Sequence, residues 1–173
     1  MRLMTVVLLL LGAWTQLPEP IWRDFSSADG KFSALMPDDP KTSVVVTDTP
    51  DGKLYTYTFS ATDKHLNEYM VSWTEYHRDG IERRFTAKTF DRLRDALIAS
   101  KGGRLLNETV SKLEGHPGKA ITFIEPDGRV TRARFYFVKT RFYQLMAETK
   151  AGKSAEDSER FLNSFRLQSS KAG

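Results

Sequence analysis

RFYFVKTRFYQL, residues 134–145, holds five aromatic and three basic side chains in twelve positions. Interleaved aromatic and basic side chains are typical of surfaces that stack single-stranded nucleic acids, and also of a buried β-hairpin. Alternation along the first strand separates the two, because Phe135 and Phe137 point to one side and Tyr136 to the other. Aromatic side chains on both sides predict a central hairpin between two layers. We therefore interpret this stretch as core.

Alternation with a period of two extends outward from this hairpin in both directions. The predicted strands cover residues 31–37, 42–49, 53–61, 68–77, 104–115, 118–128, 129–139 and 141–149. Asp-Gly pairs suit the tight turns of antiparallel hairpins, since both residues accept a positive φ. Such pairs occur at residues 29–30, 51–52, 79–80 and 127–128.

Two stretches have helical spacing instead. Residues 86–103 place their apolar side chains on one face, which predicts an amphipathic helix that ends at Gly102. A second helix is predicted over residues 154–167, with Ser154 as its cap. The order is thus a β-meander, a helix, a second β-meander and a final helix. It predicts an α+β fold in which helices cover an antiparallel sheet.

The beginning of the chain has the layout of a secretory signal peptide. Arg2 precedes an apolar run over residues 3–11, and Gly12 and Ala13 follow. We predict a signal peptide over residues 1–18, cleaved near 13–18, and a single domain over residues 19–173. The apolar run is shorter than a membrane span, so no stable span is expected after cleavage. The chain has no cysteine, and an exported bacterial protein, periplasmic or secreted, is the prediction.

The composition excludes few partners. The 173 residues include 26 Lys and Arg against 22 Asp and Glu, a net charge of +4. A surplus of this size permits weak contact with anionic surfaces and does not require nucleic acid. We therefore expect no nucleic-acid partner.

Basic side chains near the hairpin are the candidate binding residues. Arg132 and Arg134 project from the same strand face, and Arg141 begins the next strand. Guanidinium groups form bidentate hydrogen bonds with carboxylates and other anions, so these three predict a contact with an anion or an acidic protein. The alternative is a solvated strand end, which is the ordinary environment of charged side chains.

The sequence holds one candidate pair of metal ligands and no catalytic motif. Glu75 and His77 share a predicted strand face and are the candidates for a divalent metal, but no HExxH or comparable spacing accompanies them. We predict no metal and no cofactor. The sequence contains no GxSxG elbow, GxGxxG turn or phosphate loop. It therefore predicts a protein that is not an enzyme.

Three stretches resemble PsbP-like domains: FSSADGKFSALMPDDP (25–40), RFYFVKTRFYQLMAET (134–149) and RFLNSFRL (160–167). They are similar to the opening hairpin with its Pro-terminated strand, the late hairpin and the closing helix of that family. The resemblance implies the Mog1/PsbP-like fold, an α-β-α sandwich with an antiparallel sheet between helices. It also implies a binding or assembly module, since the family includes an extrinsic photosystem II subunit, a Ran-binding protein and many exported bacterial proteins. No binding residue of the family can be matched to this chain.

Three functions are compatible with these observations. The expected one is an exported, non-catalytic binding or assembly protein whose partner is a protein or an envelope component. The second is a small-molecule or metal carrier with a pocket near Glu75 and His77. The third is an unrecognised hydrolase, which would need a nucleophile or paired carboxylates in a cleft.

Overall fold

A computed structural model describes residues 21–76, 81, 85–150 and 155–168. The strands are β1 (Arg23–Ser27), β2 (Phe32–Met36), β3 (Lys41–Thr49), β4 (Gly52–Thr62), β5 (Glu68–Glu75), β6 (Arg104–Leu113), β7 (His116–Ile124), β8 (Arg129–Val138), β9 (Arg141–Lys150) and β10 (Arg166–Leu167). The helices are α1 (Ala87–Ser100) and α2 (Ala155–Ser164). The predicted signal peptide, the Asp79-Gly80 turn, the Ser154 cap and His77 lie outside the described residues. Within those residues, no helix is long and apolar enough to cross a membrane.

Seven strands form one antiparallel sheet in the order β3-β4-β5-β9-β8-β7-β6, and β1, β2 and β10 form a second, smaller sheet. Strands β8 and β9 occupy central positions, with Tyr136 opposite Tyr143 and Phe137 opposite Phe142. All four of these aromatic side chains are buried. The prediction of a central hairpin is confirmed.

Hydrophobic side chains cover both faces of that hairpin. On one face, Tyr143 and Leu145 pack with Phe32 of β2 and with Phe161 of α2. On the other face, a second cluster joins residues of β7, β8 and β9 to Phe90 of α1. Successive side chains of a strand point to opposite faces, so one aromatic-rich hairpin supplies both clusters.

An ionic network fixes α1 to β6 and β7. Lys119 Nζ lies 2.5 Å from Asp91 Oδ1 and 2.9 Å from Glu108 Oε2, which also accepts a hydrogen bond from Arg94. The hydrogen bonds from Lys119 and Arg94 hold the pKa of the Glu108 carboxyl below its ordinary value. The helix is therefore tied down by charge as well as by Phe90.

The structure confirms an α+β chain rich in antiparallel sheet. Strands β1 and β10 were not predicted, and the final helix ends at Ser164, so that Arg166 and Leu167 pair with β2. A sandwich in which helices cover the sheet is not confirmed, because the two helices have 14 and 10 residues and the small sheet shares one face with α2.

Candidate functional site

The side chain of Arg134 is bound to helix α2. Its guanidinium group donates hydrogen bonds to the main-chain oxygen of Leu162 (3.0 Å), to Glu159 Oε2 (2.9 Å) and to Asn163 Oδ1 (2.8 Å). The last carbonyl groups of a helix have no partner within the helix, and a cation near them is favourable. Arg134 therefore secures the C-terminal turn of α2 against β8.

Arg132 lies in a different environment. It is half-buried, and its guanidinium group forms no hydrogen bond or ion pair with any other described residue. It lines a shallow hollow of about 180 Å³ beside α2, together with Asn107, Thr122 and Glu159. Among the predicted arginines it is the one whose guanidinium group is left without a partner in the described part of the chain.

Arg141 pairs with the predicted metal candidate Glu75. Arg141 Nη2 donates to Glu75 Oε2 at 3.0 Å, and the guanidinium carbon lies 5.6 Å from the centre of the Trp73 ring. Thr140 donates to the other oxygen of Glu75. The Nε of Arg141 is buried without a hydrogen-bond partner among the described residues. The structure thus brings Glu75 and Arg141 together and leaves one cationic donor unused.

An open cleft of about 510 Å³ lies at this ion pair. Its lining comes from the turn before β2, the end of β5, the β6–β7 turn, the β8–β9 hairpin and the end of the described chain. The lining residues are Lys31, Glu75, Glu114, His116, Val138, Lys139, Thr140, Arg141, Tyr143, Leu167 and Gln168. Antiparallel strands alternate in direction, which brings the β6–β7 and β8–β9 turns to the same end of the sheet.

The backbone of the cleft is unusual. Lys31, Glu114 and Lys139 have φ angles of 52°, 50° and 56°, in the left-handed region that side chains other than those of Asn and Asp seldom adopt. Leu66, outside the cleft, is a further example. Backbone strain of this kind concentrates at functional sites. Three such residues at one cleft make it the candidate functional site.

The two acidic side chains of the cleft each accept a hydrogen bond, and Glu75 is also in an ion pair. Glu75 binds Arg141, and Glu114 Oε1 accepts a hydrogen bond from the main-chain N–H of Leu167 at 3.2 Å. Lys31 and Lys139 are exposed, and neither forms an ion pair with another described residue. The cleft therefore presents unpaired positive charge to solvent.

A buried tyrosine of the central hairpin lies at the cleft. Tyr143 donates a hydrogen bond of 2.7 Å to the main-chain oxygen of Gly30, which ties the turn before β2 to the central hairpin. Burial raises the pKa of the Tyr143 phenol above its ordinary value. A neutral, buried tyrosine held in this way positions the turn that carries Lys31.

The predicted metal pair cannot be assembled from the described residues. His77 lies outside them, and Glu75 is used by Arg141 and Thr140. No group of three His, Asp or Glu side chains in the described ranges is placed to hold a metal ion. What the cleft offers chemically is hydrogen bonding and positive charge.

Arg141 and Glu75 were predicted from the sequence as candidate site residues, and most of the other cleft residues were not. Lys31, Glu114, His116 and Lys139 lie in or beside turns, where charged residues are ordinary. One signal was available, since DGK (29–31), LEG (113–115) and VKT (138–140) are each tight connections between predicted strands. The presence of these connections in the sequence does not show that the three turns lie next to one another in the fold.

Comparison with solved structures places the fold among PsbP-like proteins. The solution structure of cyanobacterial PsbP (CyanoP) from Synechocystis sp. PCC 6803 is 15% identical, with a TM-score of 0.60, and the match covers 91% of this chain and 98% of that one. A Pseudomonas aeruginosa protein of unknown function, PA94, matches with a TM-score of 0.38 at 11% identity, over 75% of this chain and 83% of that one. No family model and no curated protein matches the sequence. The predicted PsbP-like resemblance is confirmed as a likeness of fold.

Proposed function

We propose that the protein is an exported, non-catalytic binding protein whose basic cleft recognises an acidic segment of another protein. One observation carries the proposal: the lining has three Lys and Arg side chains against two Glu side chains, and Lys31 and Lys139 are unpaired among the described residues. Arg141 also lines the cleft, and its guanidinium group carries N–H donors beyond the one that Glu75 accepts.

The shape of the site supports a protein partner. The cleft is open and bounded by three turns, and positive charge lies at its rim on Lys31 and Lys139. Rim charges steer encounter and select partners more than they add affinity. We infer moderate affinity with a strong dependence on ionic strength, because exposed charge pairs are screened by salt.

The test reverses the charges of Lys31 and Lys139. The double variant Lys31→Glu/Lys139→Glu is compared with Lys53→Glu/Lys64→Glu, which changes the net charge equally at exposed positions outside the cleft. Wild type and control should capture the same protein from an envelope extract, and the cleft variant should not. If the cleft variant captured the protein equally well, the cleft would be excluded as its binding site.

A direct probe complements the capture experiment. A synthetic hexaglutamate peptide, titrated into the ¹⁵N-labelled protein, should shift the amide signals of Gly30 and Thr140. The Lys31→Glu/Lys139→Glu variant should lose that response. Shifts spread over other basic surfaces, such as that around Lys53, would indicate nonspecific attraction.

A second function is favoured by the volume of the cleft. About 510 Å³ falls within the roughly 300–1,000 Å³ of small-molecule sites, which supports a carrier of a small organic anion. Native mass spectrometry of freshly isolated protein distinguishes the two. A bound small molecule, lost in the Lys31→Glu/Lys139→Glu variant, would establish the carrier and displace the protein partner.

A further inference from the structure

An open edge strand, β3, lies outside the cleft. Strand β3 pairs with β4, and no described strand pairs with its outer edge. Three consecutive valines at its centre, Val44, Val45 and Val46, are each about half exposed. An exposed, apolar edge presents unpaired N–H and C=O groups to any extended chain that fits it.

The other edge of the sheet is protected. Strand β6 carries a register shift between Leu105 and Asn107, and Glu108 lies near its middle. Bulges and charges of this kind prevent pairing between edges. Residues 42–47 of β3 contain no charged residue and no proline, and their register with β4 is continuous. The contrast within one sheet identifies the β3 edge as a pairing surface.

The occupant follows from the sequence of the strand. SVVVT, residues 43–47, reads nearly the same in both directions about Val45. We propose that β3 pairs with β3 of a second copy of this chain, antiparallel about a two-fold axis at Val45. Two seven-stranded sheets then join into one continuous sheet, through the isologous interface that two-fold symmetry requires.

That register places compatible side chains opposite each other. Val45 faces Val45 of the second copy, Val44 faces Val46, and Ser43 faces Thr47. Towards the ends, Thr42 faces Asp48, and Lys41 faces Thr49. The centre of the interface is apolar, its flanks are polar, and no like charges are directly opposed, which is the arrangement that stabilises cross-strand pairs.

The first experiment measures mass by light scattering on protein expressed as the full chain, with the length confirmed by intact mass. Wild type should form a concentration-dependent dimer. Val45→Lys should abolish it, because two ammonium groups would meet at the axis. Val110→Lys is the matched control, since Val110 lies on the other edge strand and is also exposed. A monomeric wild type at its highest soluble concentration, or a dimer that survives Val45→Lys, would overturn the proposal.

The second experiment tests the register and does not depend on the stability of the lysine variant. The chain has no cysteine, so Val45→Cys introduces a single thiol. Directly opposed Cβ atoms lie roughly 4.5–5.5 Å apart, and we expect oxidised glutathione to cross-link Val45→Cys about ten-fold faster than Val110→Cys. Equal rates would refute the Val45 axis.

Discussion

Replacing Arg134 should destabilise the fold, whereas replacing Arg132 on the same strand face should not. Arg134 supports the C-terminal turn of α2 with three hydrogen bonds, and Arg132 has no partner among the described residues. The two positions therefore form a matched pair for Arg134→Ser and Arg132→Ser. They differ in the interactions of the guanidinium group, while strand, face and charge are the same.

The contacts of Arg134 set the size of the expected loss of stability. The hydrogen bond to the main-chain oxygen of Leu162 has a charged donor, which is worth about 1.5–3 kcal/mol. The pair with Glu159, whose side chain is 49% exposed, adds little because solvent screens it. We expect Arg134→Ser to lower the free energy of unfolding by about 2 kcal/mol, or the Tm by about 4–8 °C. Arg132→Ser should stay within about 0.5 kcal/mol.

Urea titration followed by tryptophan fluorescence measures both variants. Three tryptophans are present, and Trp22 lies against Arg160 of α2, so the signal reports on the contact of the helix with the rest of the protein. Similar midpoints for the two variants would refute the capping role of Arg134. The outcome also governs the interpretation of binding data, because a lost interaction in Arg134→Ser would reflect a loosened α2.

Three further changes test the core, a close backbone approach and the ionic network. Leu145→Ala removes a fully buried side chain and should cost about 2–5 kcal/mol in urea titration. In Gly118→Ala the new Cβ would lie 2.4 Å from a main-chain oxygen of β8, which should cost about 1–3 kcal/mol in the same assay. The lowered pKa of Glu108 means that its ion pairs stabilise the fold above pH 4.5 and are lost as the pH falls through the folded-state pKa. Glu108→Gln should therefore flatten the fall in urea midpoint below that pH, and an unchanged pH profile would contradict the role of the Glu108 ion pairs.

Much of the main sheet could be predicted because its strands alternate. Each buried strand carries its pattern in its own residues, and the hairpin at 134–145 places aromatic side chains on both faces. Strands β1 and β10 were not predicted, because neither carries such a pattern in its own residues. The RDFSS of β1 has a single large apolar residue, and β10 is two residues long. Both depend on β2 as a partner, which no local pattern reveals.

The end of α2 shows how a tertiary contact overrides a local pattern. Phe161, Leu162 and Phe165 have helical spacing, and the helix was predicted to run to residue 167. Ser164 Oγ instead accepts a hydrogen bond from the main-chain N–H of Leu35 at 2.8 Å and donates one to the main-chain oxygen of Phe161 at 2.6 Å. Leu167 then pairs with Phe32. The chain leaves the helix because β2 offers an edge.

The cleft could not be predicted for a related reason. Its charged residues come from turns far apart in sequence, and the strand order alone brings those turns together.

None of the lining residues belongs to β3 or β4. Pairing of two chains along β3 would therefore leave both clefts open and make the dimer bivalent. Linked sites bind a surface that carries several partners more tightly than either site alone, without any new contact in the cleft. Loss of the β3 interface should then weaken capture on a densely coated surface while leaving the affinity of each cleft unchanged.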